Sequence, residues 1–249
     1  MKIRILGDVH GKQDSYINLV KDCDYSFQLG DMGFNYDKLK VLDPWKHKVL
    51  YGNHDRVIVD KYDEAIREDD RFLTNYGNFS LDHMLNRESF ANTKSKTNIP
   101  DLFYVRGEYS IDKAYRTPGL DWFEDEQLTY NQMVKTIEWY NHVKPRIVIS
   151  HGCPASIIPY VANPAFAHLN LKPSTTAIML EEMYRIHQPD FWFFGHYHRD
   201  KVMRPNNNTY FFCIDELNYI DLNDTYNGYK VDAQYYNVTL VNKWTSYSE

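Results

Sequence analysis

Cysteine is scarce in this 249-residue chain. Cys23, Cys153 and Cys213 are an odd set with no CxxC pair, which argues against a disulfide framework or a thiolate zinc site and predicts reduced thiols. Long apolar runs are missing too. Nothing approaches the ~20 residues of a membrane span, and the opening Met1-Lys2-Ile3-Arg4-Ile5-Leu6 is too short and too charged for a signal peptide. The expectation is a soluble, cytoplasmic protein with no membrane partner. Basic charge is also in deficit: 28 Lys and Arg against 34 Asp and Glu leave a net charge of -6. Such a chain has no general attraction for nucleic acid, so a polyanion would need a local cationic centre. Without internal repeats, heptads or a Pro/Gly/Ser linker, residues 1–249 read as one domain.

What is present is a globular balance, 43% hydrophobic and 16% aromatic. A chain this long buries roughly 70–75% of its unfolded surface, so a metal is not needed to hold it together and would serve chemistry instead. The first half alternates strand and helix patterns. Lys2–Leu6, 25–29 and 48–51 are short apolar runs stopped by Gly7, Gly30 and Gly52, and Tyr16, Ile17, Leu19 and Val20 have helical spacing. Thr129 and Gln132 form a capping box before a helix with Met133, Val134, Ile137 and Tyr140 on one face. A strand at 146–149 follows, then a helix over 175–187 with Ile178, Met179, Met183 and Ile186 inward, and a strand at Phe191–Phe194. Segments 210–214 and 235–241 alternate as antiparallel strands around a turn at 206–208. This grammar predicts an α/β fold of two packed sheets with helices outside.

The chemistry-bearing residues stand where these strands end: Gly7-Asp8-Val9-His10-Gly11, Gly30-Asp31-Met32-Gly33, Gly52-Asn53-His54-Asp55, Ser150-His151-Gly152 and Gly195-His196-Tyr197-His198. Ligands of open α/β sheets bind beyond the carboxyl ends of the strands, so these turns are expected to converge. Asp8, His10, Asp31, Asn53, His151, His196 and His198 would supply two carboxylates, one amide oxygen and four imidazoles. That set suits manganese first, with iron, zinc or nickel as alternatives, rather than calcium. Seven ligands and a bridging hydroxide suffice for two divalent ions, which activate water and clamp the oxygens of a phosphoryl group.

These five motifs, in this order, resemble the calcineurin-like metallophosphoesterase superfamily, from Asp8 to His198. The resemblance implies a four-layer α/β/β/α sandwich. It also implies one ion held by Asp8, His10 and His198, a second held by Asn53, His151 and His196, and Asp31 bridging both. His54 corresponds to the family's histidine that assists the leaving group. The chain departs from the Ser/Thr protein phosphatases, because Asp31 is followed by Met32-Gly33-Phe34 and His54 by Asp55, so that branch is disfavoured and the orienting partner of His54 stays open.

The segment Gly107-Glu108-Tyr109-Ser110-Ile111-Asp112-Lys113, with Arg116 and Trp122-Phe123-Glu124-Asp125-Glu126, is similar to small bacterial and phage-borne members. Arg56, Lys113 and Arg116 are candidate substrate contacts. The polar stretch 75–98 reads as a long connection near substrate, 60–71 as a solvated helix face, and Trp122-Phe123 as packing. The remaining histidines, His47, His83, His142, His168 and His187, read as structural or solvated. The expected activity is hydrolysis of a phosphate monoester or diester in a small metabolite or nucleotide. A nucleic-acid phosphodiesterase is the alternative, and a non-catalytic scaffold the alternative of another class.

Overall fold

The computed structural model describes residues 1–33, 36–55, 70–73, 75–82, 97, 99–162, 172–225, 228–233 and 238–243, the last six by backbone alone. The first half contributes β1 (Lys2–Leu6), α1 (Gln13–Leu19), β2 (Tyr25–Gln28), β3 (His47–Leu50), β4 (Phe72–Leu73), β5 (Tyr76–Phe79) and β6 (Leu102–Val105). After these come α2 (Tyr130–Val143), β7 (Ile147–Ser150), the single turn α3 (Ile158–Val161), α4 (Thr175–Ile186) and β8 (Phe191–Phe194). The chain ends in β9 (Lys201–Met203), β10 (Tyr210–Cys213), β11 (Tyr219–Thr225), β12 (Gly228–Ala233) and β13 (Val238–Lys243).

Two mixed sheets result. One runs β13-β12-β11-β1-β2-β3-β4 and the other β5-β6-β7-β8-β10-β9. In each, the middle is parallel, β1-β2-β3-β4 and β6-β7-β8-β10, while β11 pairs antiparallel with β1 and β5 with β6. Parallel strands covered on both faces need apolar residues throughout, which is why Phe191–Phe194 reads FWFF and is buried at every position. Ile3, Ile5, Phe27, Ile149, Phe193 and Phe212 fill the space between the sheets. On the outer face of the second sheet, Phe103, Val148, Trp192 and Phe194 pack against Tyr140 of α2 and Leu180 and Met183 of α4. On the outer face of the first, Leu6 and Val49 meet Tyr16 of α1, with Val20 and Leu39. The order of layers is therefore α/β/β/α.

Three local expectations change. Ile178 and Ile186 of α4 are exposed, because the buried stripe is Thr176, Met179, Leu180, Met183 and Tyr184, one residue round the helix. Part of the polar stretch 75–98 is not a connection: Tyr76–Phe79 adds an edge strand to β6. In the segment 60–71, Arg71 is buried rather than solvated, its guanidinium bound to the carbonyls of Leu39 and Leu42; residues 60–69 lie outside the described residues. The capping box at Thr129 and Gln132 is in place, with both reciprocal bonds. Among the described residues, no helix is long and apolar enough to cross a membrane, and Cys23, Cys153 and Cys213 are not joined in a disulfide.

Candidate metal centre

The turns after β1, β2, β3, β7 and β8 carry the motif residues, and parallel pairing sets those strand ends side by side. Four of them take left-handed backbone conformations: His10 (φ 47°), Asp31 (φ 56°), His196 (φ 68°) and His198 (φ 47°). Such residues cost of order 1 kcal/mol or more each and gather at functional sites, where packing over-determines them. Two motif glycines show how tightly. A Cβ on Gly52 would collide with Asp31 Oδ1, and one on Gly195 with Asp8 Oδ1.

Two groups of donor atoms result. In the first, His10 Nε2 and His198 Nε2 are 3.2 Å apart, and lie 3.6 and 3.5 Å from Asp8 Oδ2. In the second, His151 Nε2 is 3.1 Å from Asn53 Oδ1 and 3.2 Å from His196 Nδ1. Asp31 stands between them, with Oδ2 3.9 Å from His10 Nε2 and Oδ1 3.5 Å from His151 Nε2. His151 Nδ1 lies 2.9 Å from the Leu29 carbonyl, an acceptor that fixes the proton on Nδ1 and leaves the Nε2 lone pair facing the oxygen of Asn53. Acceptors turned towards one another in a buried place need a shared cation, so the donor set fits divalent metal ions. His10, Asp31 and His54 form a further group with ligand atoms within 4.8 Å of one another, besides Asp8, His10 and His198.

Burial governs the protonation states. Desolvation pushes Asp31 up to about 6, and the neighbouring Asp8 charge adds to this. Asp8 is desolvated too, but His10 and the other imidazoles outweigh burial and hold it below the ordinary range. Burial lowers His151, and lowers His196 far below the ordinary value, keeping both imidazoles neutral.

The strongest support behind these turns was not visible in the spacing of ligands. Asp55 is fully buried. Its carboxylate accepts the N–H groups of Asp31 (2.9 Å), Gly33 (3.0 Å) and Gly52 (2.8 Å) and the Tyr36 hydroxyl (2.7 Å). The residue following His54 was the available signal, yet its target is backbone rather than the imidazole. His54 instead has Asp31 Oδ2 at 3.9 Å and Arg116 Nη2 at 3.5 Å from its Nε2. Arg116 is itself held by Asp112 at 2.5 Å and the Asp121 carbonyl at 3.1 Å.

A cavity of about 250 Å3 opens at this point, lined by Asp31, Asn53, His54, Asp112, Arg116 and His198 among others. Lys113 lies on the wall of a neighbouring cavity instead, and Arg56 lies outside the described residues. Of the other histidines, His47 is buried with Nδ1 2.9 Å from Ser26 Oγ, His187 meets the Pro145 carbonyl and His142 stacks on Trp139. His83 and His168 lie outside the described residues. Trp122 packs edge-to-face on Tyr109.

Solved structures share the architecture. A dimetal phosphatase from Danio rerio is 10% identical with a TM-score of 0.53, over 97% of this chain and 98% of that one. GAP50, the anchor in the inner membrane complex of Plasmodium, is 9% identical with a TM-score of 0.51, over 98% and 88%. At such identity the likeness carries the fold alone. No curated protein matches the chain. Residues 1–200 match the calcineurin-like phosphoesterase family, and this chain belongs to it.

Proposed function

We propose that the protein is a dinuclear metallophosphoesterase acting as one domain over residues 1–249, with a small phosphorylated metabolite or nucleotide as substrate. The observation that carries this reading is the position of Asp31, one oxygen towards His10 and the other towards His151. Asp8, His10 and His198 would hold one ion and Asn53, His151 and His196 the other, manganese by preference, with Asp31 shared. A bound pair would polarise the phosphoryl oxygens and lower the pKa of a water.

The protein's own residues do the rest. Arg116, its Nε fixed by Asp112, offers its remaining N–H donors to phosphoryl oxygens across the cavity, in the bidentate manner open to a guanidinium. His54 Nε2 faces the same space and would donate its proton to the departing oxygen. Burial lowers the His54 pKa, the Asp31 charge opposing it and Arg116 and His10 adding to it, so a proton, once carried, leaves readily as that oxygen becomes basic. The size of the cavity, about 250 Å3, suits a small ester, and the net charge of -6 disfavours a nucleic-acid duplex. Cysteines with no disulfide among them suit the cytoplasm.

Turnover of 4-nitrophenyl phosphate and bis(4-nitrophenyl) phosphate with manganese, nickel, zinc or magnesium tests the reading. Metal-dependent hydrolysis that Asp31→Asn abolishes is the expected result. If wild type and variant are equally inert on both esters with every metal, the non-catalytic scaffold is the better account.

A further inference from the structure

The cavity at the donor cluster continues into a larger one of about 660 Å3, since Ser110, Ile111, Arg116 and His196 line both. Lys113 lines only the larger space. Its Nζ sits 3.4 Å from the Tyr109 ring centroid and 4.0 Å from that of Trp122, and the two rings meet edge-to-face at 5.4 Å. Among the described residues no carboxylate forms an ion pair with it, and Glu126 and Glu124 act on it only through space. Arg116, by contrast, is engaged by Asp112. Lys113 and Arg116 bracket a single 3-10 turn, Lys113–Tyr115, which sets the two cations about one turn apart. Ser174 and Thr175, at the positive end of α4, form another part of the wall. The ammonium lies over one face of each ring, where a nucleobase would otherwise stack. Glu108 also lines this space, but its carboxyl is buried and accepts the Tyr109 N–H at 3.1 Å rather than pairing with Lys113; what the ammonium lacks is an anion.

We propose that this larger cavity is a leaving-group subsite for an anionic oxygen group, so that the substrate is a phosphate ester carrying a second phosphate or a carboxylate. The inference rests on the phosphoesterase reading above: Arg116 faces the phosphoryl group that is cleaved, while Lys113, steadied by cation–π contact with Tyr109 and Trp122, receives the second anion. An ammonium already aimed by two rigid rings loses little freedom on binding.

The test uses the full chain loaded with manganese and three esters differing in one substituent: 4-carboxyphenyl phosphate, 1,4-phenylene bisphosphate and the neutral 4-carbamoylphenyl phosphate. Wild type is expected to favour one or both anionic esters by about tenfold or more in kcat/KM, the scale of a charge-assisted contact, and the better of the two identifies the anion. Lys113→Gln is expected to bring the ratio to near one, and Lys113→Arg to retain part of it. Equal kcat/KM for all three esters in wild type, or a ratio untouched by Lys113→Gln, overturns the proposal. Calorimetric binding of 4-carboxybenzylphosphonate and 4-carbamoylbenzylphosphonate reads the subsite without turnover. If no ester is hydrolysed yet the carboxylate binds more tightly, and only with Lys113 present, the phosphoesterase reading falls and the subsite stands. Equal affinities sink the subsite.

Discussion

Asp55 and Asp31 are laced to each other's turns: Asp55 Oδ2 accepts the Asp31 N–H at 2.9 Å, and Asp31 Oδ1 accepts the N–H of His54 at 2.8 Å. The carboxylate proposed to bridge two ions is thereby held through a second carboxylate that touches none of them. Asp55→Asn replaces one acceptor oxygen by a donor facing backbone N–H groups. We expect a loss of about 2–3 kcal/mol in stability and of roughly 10–100-fold in manganese affinity, as for other outer partners of metal ligands. Denaturant unfolding and metal titration followed by paramagnetic resonance measure the two effects.

Gly195 gives a sharper separation of metal binding from folding. Its missing Cβ leaves room for Asp8 Oδ1, and its φ is not left-handed, so alanine strains the contact rather than the backbone. Gly195→Ala is expected to displace Asp8 and weaken manganese binding at least about tenfold, on the pattern of misplaced ligands. Unchanged metal titration in this variant would show that the Asp8 turn yields without cost.

For His54 the informative quantity is how the damage depends on the leaving group. His54→Asn is expected to lower kcat by ~10²–10⁴ on an alkyl phosphate, where departure needs a proton, and by much less on 4-nitrophenyl phosphate. Equal losses on both would assign His54 to phosphoryl binding alone.

Glu108, on the wall of the larger cavity, provides a pH signature. It is fully buried with Oε2 unpartnered, and burial raises its pKa to about 7 against an ordinary 4.5, with the Ser174 hydroxyl drawing it partly back. The folded state thus binds a proton that the unfolded chain has released, and stability falls as pH rises from 4.5 through 7. Glu108→Gln removes that loss. The variant is expected to be more stable than wild type by roughly 2–3 kcal/mol at pH 8 and about equal to it at pH 5, as thermal unfolding at the two values would record.

Much of this was legible in the chain itself. Strands buried on both faces read as unbroken apolar runs, so Phe191–Phe194 is found to the residue, and the glycine-stopped turns identify the five places where ligand-type residues meet. What was not legible shares one physical cause. Asp55 binds backbone N–H groups, which leave no mark in the sequence of the turns they belong to. The exposure of Ile178 depends on a helix rotation that neighbouring Met179 and Leu180 settle by packing. Arg116 lines both cavities while Lys113, three residues before it across a short turn, lines only the larger, and no periodicity reports that.

The pairing of β1 with β11, Lys2 opposite Asn223 and Leu6 opposite Tyr219, has a consequence for biosynthesis. Arg4 is buried against Asp22 on one side and Asp221 on the other, so the strand that delivers Asp8 and His10 keeps an open edge and a half-neutralised guanidinium until the ribosome has passed residue 221. Closure of that sheet joins Arg4 to a partner 217 positions further on, a long-range step of the kind that folds slowly, and the donor cluster can acquire its final shape only after residue 221 has been made.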